Sequence, residues 1–288
     1  MNCKLKLLGA ALALTAVTTQ AQAQKLSNIF ADNVFSGTSD MVTDVMDTLM
    51  PGVTNVRLGI GPAVSPEFEG SKHYQVNALP LISLRYKDLL QVDNNQIRVN
   101  VFGQKGAMVK SENFRAGPMV KIDFGRKEKD SVDLRGLGNV STSIELGAFA
   151  SYMTGPLQYR IRARQDVASG HKGLLADFDV SLAVYRTQTT IVGAQLGTTW
   201  ANSKYMSKFF GVVASQATAS GLPVYAPGSG LKEVSLSVGS EMKITPRWAI
   251  VMNAGAERLL SKAKSSPLVS LRGSPNQLNF GVYGVYSL

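Results

Sequence analysis

Two histidines, His73 and His171, are the only imidazoles in this chain of 288 residues. Each has a serine and an acid close by in sequence, Ser71 and Glu69 for the first, Ser169 and Asp166 for the second. A nucleophilic serine needs a base within hydrogen-bond reach, and the base needs a third group to orient it. The inventory allows such a triad, but no nucleophile elbow surrounds either serine, and a lone loop histidine is usually a hydrogen-bonded surface residue. The expectation is therefore no catalytic residue and no enzyme. Metal chemistry fares no better. Two histidines about 100 residues apart make no recognisable ligand set, and the single cysteine, Cys3, stands near the N-terminus. No phosphate loop, dinucleotide fingerprint or nucleic-acid module is present, so no cofactor and no nucleic-acid partner is expected.

The charged residues with a definite spacing are arginines. Arg160, Arg162 and Arg164 alternate with Tyr159, Ile161 and Ala163, and alternating side chains of a strand point to opposite faces. One face is then a row of arginines and the other is apolar. A following alternating stretch holds Asp177 and Asp179 among Leu174, Phe178, Val180, Leu182 and Val184. A turn around Ser169 and Gly170 makes the two stretches antiparallel neighbours, which sets both aspartates opposite the arginine row. Mutual neutralisation, at a few tenths to 1 kcal/mol per pair, and an ion pathway are both open readings of these five residues.

The elements that must position them are strands throughout. Alternating stretches are expected at 54–64, 75–87, 89–93, 96–102, 115–125, 143–152, 156–167, 174–185, 189–200, 233–242, 247–258 and 277–288. No later segment approaches the ~18 uninterrupted apolar residues of a spanning helix. Residues 1–23 carry Lys4 and Lys6, an apolar run from Leu7 to Val17 and a small-x-small site at Ala21 to Ala23. That is the pattern of a removable export signal. An exported chain of short alternating strands is an outer-membrane barrel of a Gram-negative bacterium. The fold expected is all-β, a transmembrane antiparallel up-and-down barrel of about 12 strands over 53–288. An arginine facing lipid at mid-bilayer costs about 2–4 kcal/mol, so the arginine row must face the lumen.

Composition agrees with this. Hydrophobic residues make up 44% and mean hydropathy is +0.02, as expected when one side of each strand meets lipid. The formal charge is +10, of which the signal holds two lysines. The excess can attract lipopolysaccharide phosphates or acidic groups of murein. Joins at 153–155, 186–188 and 245–246 are tight, whereas 125–140, 201–232 and 259–276 are long. Long loops lie outside the cell in such barrels. Residues 24–52 form an N-terminal periplasmic or plug segment, in which Met41, Val42, Val45, Met46 and Leu49 share one helical face and offer a face for a partner.

Several loop motifs together resemble the MipA/OmpV family. They are FFGVVASQATASGLPVYAPGSG (Phe209 to Gly230), which includes Ser220, Gly221, Leu222, Pro223 and Tyr225, and RLLSKAKSSPLV (Arg258 to Val269), which includes Ser266 and Pro267. EGSKHY, LRGLG and GHKG follow the family's order. The resemblance implies a non-enzymatic scaffold for murein-remodelling enzymes, with a lytic transglycosylase and a murein synthase as partners, or a surface adhesion protein. The residues by themselves leave a narrow anion-preferring channel open as the alternative.

Overall fold

The computed structural model describes residues 55–288; Met41, Val42, Val45, Met46 and Leu49, and the export signal, lie outside the described residues. Fourteen strands form one sheet. They are β1 (Asn55–Pro66), β2 (Tyr74–Tyr86), β3 (Leu90–Asp93), β4 (Gln96–Val99), β5 (Phe102–Gly103), β6 (Val109–Lys110) and β7 (Phe114–Asp123). Then follow β8 (Ser143–Thr154), β9 (Leu157–Asp166), β10 (Leu174–Arg186), β11 (Thr190–Ala201), β12 (Gly230–Lys243), β13 (Trp248–Leu259) and β14 (Asn276–Ser287). Consecutive long strands are antiparallel neighbours, β1 pairs with β14, and β4 pairs with β7 to close the ring. Setting aside the two-residue β5 and β6, twelve strands make the wall, as the alternation predicts.

The period of two is what orients the wall. In β9 the even positions Gln158, Arg160, Arg162 and Arg164 are buried, while Tyr159, Ile161 and Ala163 are exposed. The same alternation runs through β8, β11 and β12. A sheet whose outer face is Ile, Leu, Val and Phe and whose inner face is charged belongs in lipid, because water would favour the opposite arrangement. Among the described residues no helix is long and apolar enough to cross a membrane; the strands cross it. Tyr86, Tyr152, Tyr185 and Trp248 are exposed near strand ends, where amphipathic rings suit the interface.

Strand limits agree with the sequence expectation to within three residues, the largest differences falling at the start of β12 and the end of β4. The stretch expected at 96–102 is cut at Val99, because the Asn100 amide donates to Leu89 O at 2.8 Å and its side chain to Asp88 O at 2.8 Å. The hairpin β3–β4 is consequently short. Asn94 takes the left-handed conformation at its tip (φ 44°), and its Oδ1 accepts the Ile82 N–H at 2.7 Å. Asn95 Nδ2 donates to Ile122 O at 2.8 Å. These two asparagines stitch a four-residue hairpin between β2 and β7, where the other wall strands pair over most of their length.

The long connections 124–142, 202–229 and 260–275 emerge at one end and fold into a cap. Helix α1 (Ser203–Phe210) is started by Asn202, whose Oδ1 accepts the Tyr205 N–H at 3.1 Å. It buries Tyr205, Met206, Phe209 and Phe210 against Leu175, Leu259 and Val269. Helix α2 (Ala214–Ser220) ends on Gly221 at φ 75°, a conformation glycine adopts without strain. Short helices α3 (Ser261–Lys264) and α4 (Pro267–Arg272) complete the cap. Phe68, Leu134, Leu137, Val212, Leu222 and Leu268 form its second apolar core.

Candidate functional site

A ladder of ion pairs rises through the lumen. Near the end of short turns, Arg115 Nε reaches Asp88 Oδ1 at 2.9 Å, and Arg57 Nη2 bridges to Glu241 Oε2 at 2.6 Å. Arg98 meets Asp93 at 3.2 Å, and Ser83 Oγ donates to the same carboxylate at 2.8 Å. Above them, Arg162 Nη2 donates to Asp179 Oδ2 at 2.7 Å, and Arg162 Nε lies 3.4 Å from Asp177 Oδ2. Arg164 contacts Asp177 at 2.9 Å and Glu145 at 3.4 Å. Arg160 donates to Gln158 Oε1 at 3.0 Å. The register sets Asp177 opposite Arg162 and Asp179 opposite Arg160, yet the long guanidinium of Arg162 reaches diagonally to Asp179. Removing charges from water is costly unless they are paired, and this ladder sets each of these carboxylates against a guanidinium.

Above the arginine row lies a chamber of about 200 Å³ under helix α1, with Tyr205 and Phe209 in its wall. On one side Lys232 Nζ stands 2.5 Å from Glu69 Oε1 and 2.9 Å from Glu233 Oε2, and the Tyr205 hydroxyl donates to Glu69 Oε2 at 3.3 Å. Burial raises the Glu69 carboxyl above its ordinary range, an effect opposed by Lys232. Burial, and secondarily the Glu69 charge, pushes the Tyr205 phenol well above the ordinary tyrosine value. Arg126 donates to Phe209 O at 2.8 Å, and burial lowers its guanidinium to about 10. It is still charged at neutral pH.

His171 serves structure. Its Nδ1 accepts the Gly173 N–H at 2.9 Å, so the proton of the neutral ring sits on Nε2, which faces Glu145 Oε1 at 3.1 Å. The ring packs on Tyr205 and Phe209 of α1. Asp123, Glu145 and His171 lie close enough together to suggest a metal. However, binding through Nε2 would move the ring proton to Nδ1, against a backbone donor. Near Glu69, Glu233 and Glu257 the Lys232 ammonium already stands between two of the three carboxylates. Ser71 Oγ donates to His73 O and not to the ring, and Asp166 accepts the Ala168 and Lys172 N–H groups. Neither sequence-suggested triad is assembled.

The family-like loop residues lie in the cap, some buried in it and some, such as Pro223, on its surface. Ser220 O accepts from Arg272, Gly221 caps α2 and Leu222 is buried. Pro223 lies in the same segment, Tyr225 OH donates to Lys262 O at 2.8 Å, Ser266 Oγ donates to Phe210 O at 2.7 Å, and Pro267 begins α4. Sequence reasoning missed Asp88, Lys232 and Glu257. Asp88 stands in an apparent turn, Lys232 precedes its expected strand, and Glu257 lies in a strand whose inward face was not assigned.

The family model described as MltA-interacting protein MipA matches residues 58–288. Among solved structures, the NanC porin is 13% identical at a TM-score of 0.43, over 81% of this chain and 100% of that one. The COG4313 outer membrane channel from Pseudomonas putida F1 is 10% identical at a TM-score of 0.42, over 83% and 97%. Pseudomonas putida OprB is 9% identical at a TM-score of 0.41, over 85% and 96%. A comparison with curated protein sequences gives no significant match.

Proposed function

The chain belongs to the MipA family, and from that premise we propose that this outer-membrane barrel works through its surfaces, as a non-enzymatic scaffold for murein-remodelling enzymes. The observation that carries this reading is that the inward charges are spent on one another: ion pairs from Arg115–Asp88 to Arg164–Asp177 line the wall, and a helical cap with two apolar cores covers one end. A barrel whose inner charges are engaged in this way offers its rims to partners. The family's description names an interaction with the transglycosylase MltA, which supports a lytic transglycosylase, and with it a murein synthase, as partners.

Such enzymes work in the periplasm, so only the rim of short turns can meet them. There the connection 100–113 is held rigidly by Asp88, which accepts the Gln104 N–H and pairs with Arg115. It presents Met108 and Val109 to solvent. The mature chain is proposed to begin near Gln24; N-terminal sequencing that finds Met1 retained overturns that point. The binding test is capture of a purified lytic transglycosylase by the refolded barrel. Deleting 25–50, or replacing Met108 and Val109 with serine, is expected to abolish capture, whereas Pro223→Ala and Tyr225→Ala leave it intact. The reverse pattern overturns the orientation or the scaffold role, and capture lost only on changing Pro223 and Tyr225 points to adhesion through the cap.

One observation favours the channel as a second reading, the charge-lined chamber itself. Its wall holds seven carboxylates against four Lys and Arg side chains, a balance that suits cations better than anions. Conductance steps with cation preference in planar bilayers support a channel, and silent bilayers support the scaffold.

A further inference from the structure

The chamber wall has more acceptors than donors. Three of its four cations are engaged with carboxylates from several strands, Arg162 with Asp177 and Asp179, Arg164 with Asp177 and Glu145, Lys232 with Glu69 and Glu233, and the fourth, Lys121, is paired in register with Glu145 on β8. Two further carboxyl groups, Asp123 and Glu257, also line the space. Asp123 accepts the Gly125 N–H at 2.7 Å with the Lys121 charge nearby, and Glu257 shares a hydrogen bond with Glu233, carboxyl beside carboxyl. A separate observation points the same way. Gln195 lines the chamber with 8% exposure, and its Oε1 has no hydrogen-bond partner. A buried carbonyl oxygen with no donor is costly, and so is an excess of seven carboxyl groups over four cations in a low-dielectric space. Both deficits are met by a ligand that brings positive charge together with N–H groups.

We propose that the chamber binds a small primary ammonium solute, a linear diamine fitting best, through Glu257, Asp123 and the Gln195 carbonyl. At about 200 Å³ the space lies below the ~300–1,000 Å³ of pockets that hold drug-sized molecules, so it admits a short chain only. An ammonium suits it better than a dehydrated divalent metal. The closest carboxylate group already encloses the Lys232 ammonium, and His171 presents a proton, not a lone pair, to the other. The proposal is independent of the scaffold role, since it concerns the inside of the barrel and not its rims.

Equilibrium dialysis of the refolded mature protein against labelled 1,4-diaminobutane at fixed ionic strength tests it and tolerates slow entry past the cap. Saturable uptake of one molecule per barrel is expected. Glu257→Gln and Gln195→Leu should each weaken it about tenfold or more, while Asp130→Asn on the outer cap leaves it unchanged. Heat-modifiable gel mobility verifies that each variant is assembled, and Asp123→Asn, on another strand, carries the same expectation should Glu257→Gln fail to assemble. The proposal is overturned by an absence of saturable uptake, by equal uptake of glutarate, by full displacement with magnesium chloride, or by parent-like binding in assembled Glu257→Gln or Asp123→Asn.

Discussion

Arg162 is where the lumen's charges converge, and its two aspartates define what its loss would do. Breaking a buried pair by removing one partner costs about 3–5 kcal/mol, because the other charge is left uncompensated. Arg162→Ala is therefore expected to lower barrel stability by that order in urea unfolding followed by gel mobility, and Arg162→Lys by less, since charge survives and the planar fork is lost. Tyr205 carries a different dependence. Its phenol is raised well above the ordinary value of 10.0, so the unfolded chain releases a proton near pH 10 while the folded cap holds it. The sign follows: stability from this group is fully present below pH 10 and falls as pH rises above it. Near-ultraviolet circular dichroism melts at pH 8 and 11 should show the cap weakening at pH 11, and Tyr205→Phe should reduce that loss.

Among the elements, the hairpin β3–β4 is the weakest part of the wall. It closes the ring with four-residue strands, so each asparagine at its tip carries more of the seam than any single residue elsewhere. Asn94 supplies both a left-handed conformation and an acceptor for Ile82. Asn94→Ala forfeits both and is expected to cost about 1–2 kcal/mol, while Asn94→Gly keeps the conformation and costs less. Hydrogen exchange checks the placement. The Ile97 amide should exchange faster than that of Leu196 in β11, and Asn94→Ala should widen the difference. If both amides exchange at one rate, the seam is not the weak element.

For the whole molecule, the cap and the ion-pair ladder are expected to act as two seals in series. The cap covers one end through its own apolar cores, and the ladder lines the lumen beneath it. Replacing 203–228 by a short Gly-Ser linker should therefore leave bilayers silent. Adding Arg162→Ala and Arg164→Ala to that deletion should produce conductance steps. Steps from the cap deletion alone would show that the ladder is not a barrier, and silence from the combined variant would place the block elsewhere.

The amino-acid sequence by itself determined the barrel, its strand number and the inward aim of Arg160, Arg162, Arg164, Asp177 and Asp179. The cause is local: lipid penalises any charge on one face, so every strand must carry the period of two along its own length. The loop motifs around Leu222 and Ser266 were legible as a set, but the burial of these two residues was not, because Gly, Pro and Ser mark turns without saying what packs on them. Only the tertiary structure decided that Arg57 meets Glu241, that Asp88 meets Arg115, and that Lys232 stands between Glu69 and Glu233. Charges have no periodicity that names a partner. These pairs are made by closing a ring and folding long loops over it, and both bring together residues that no spacing in the chain relates.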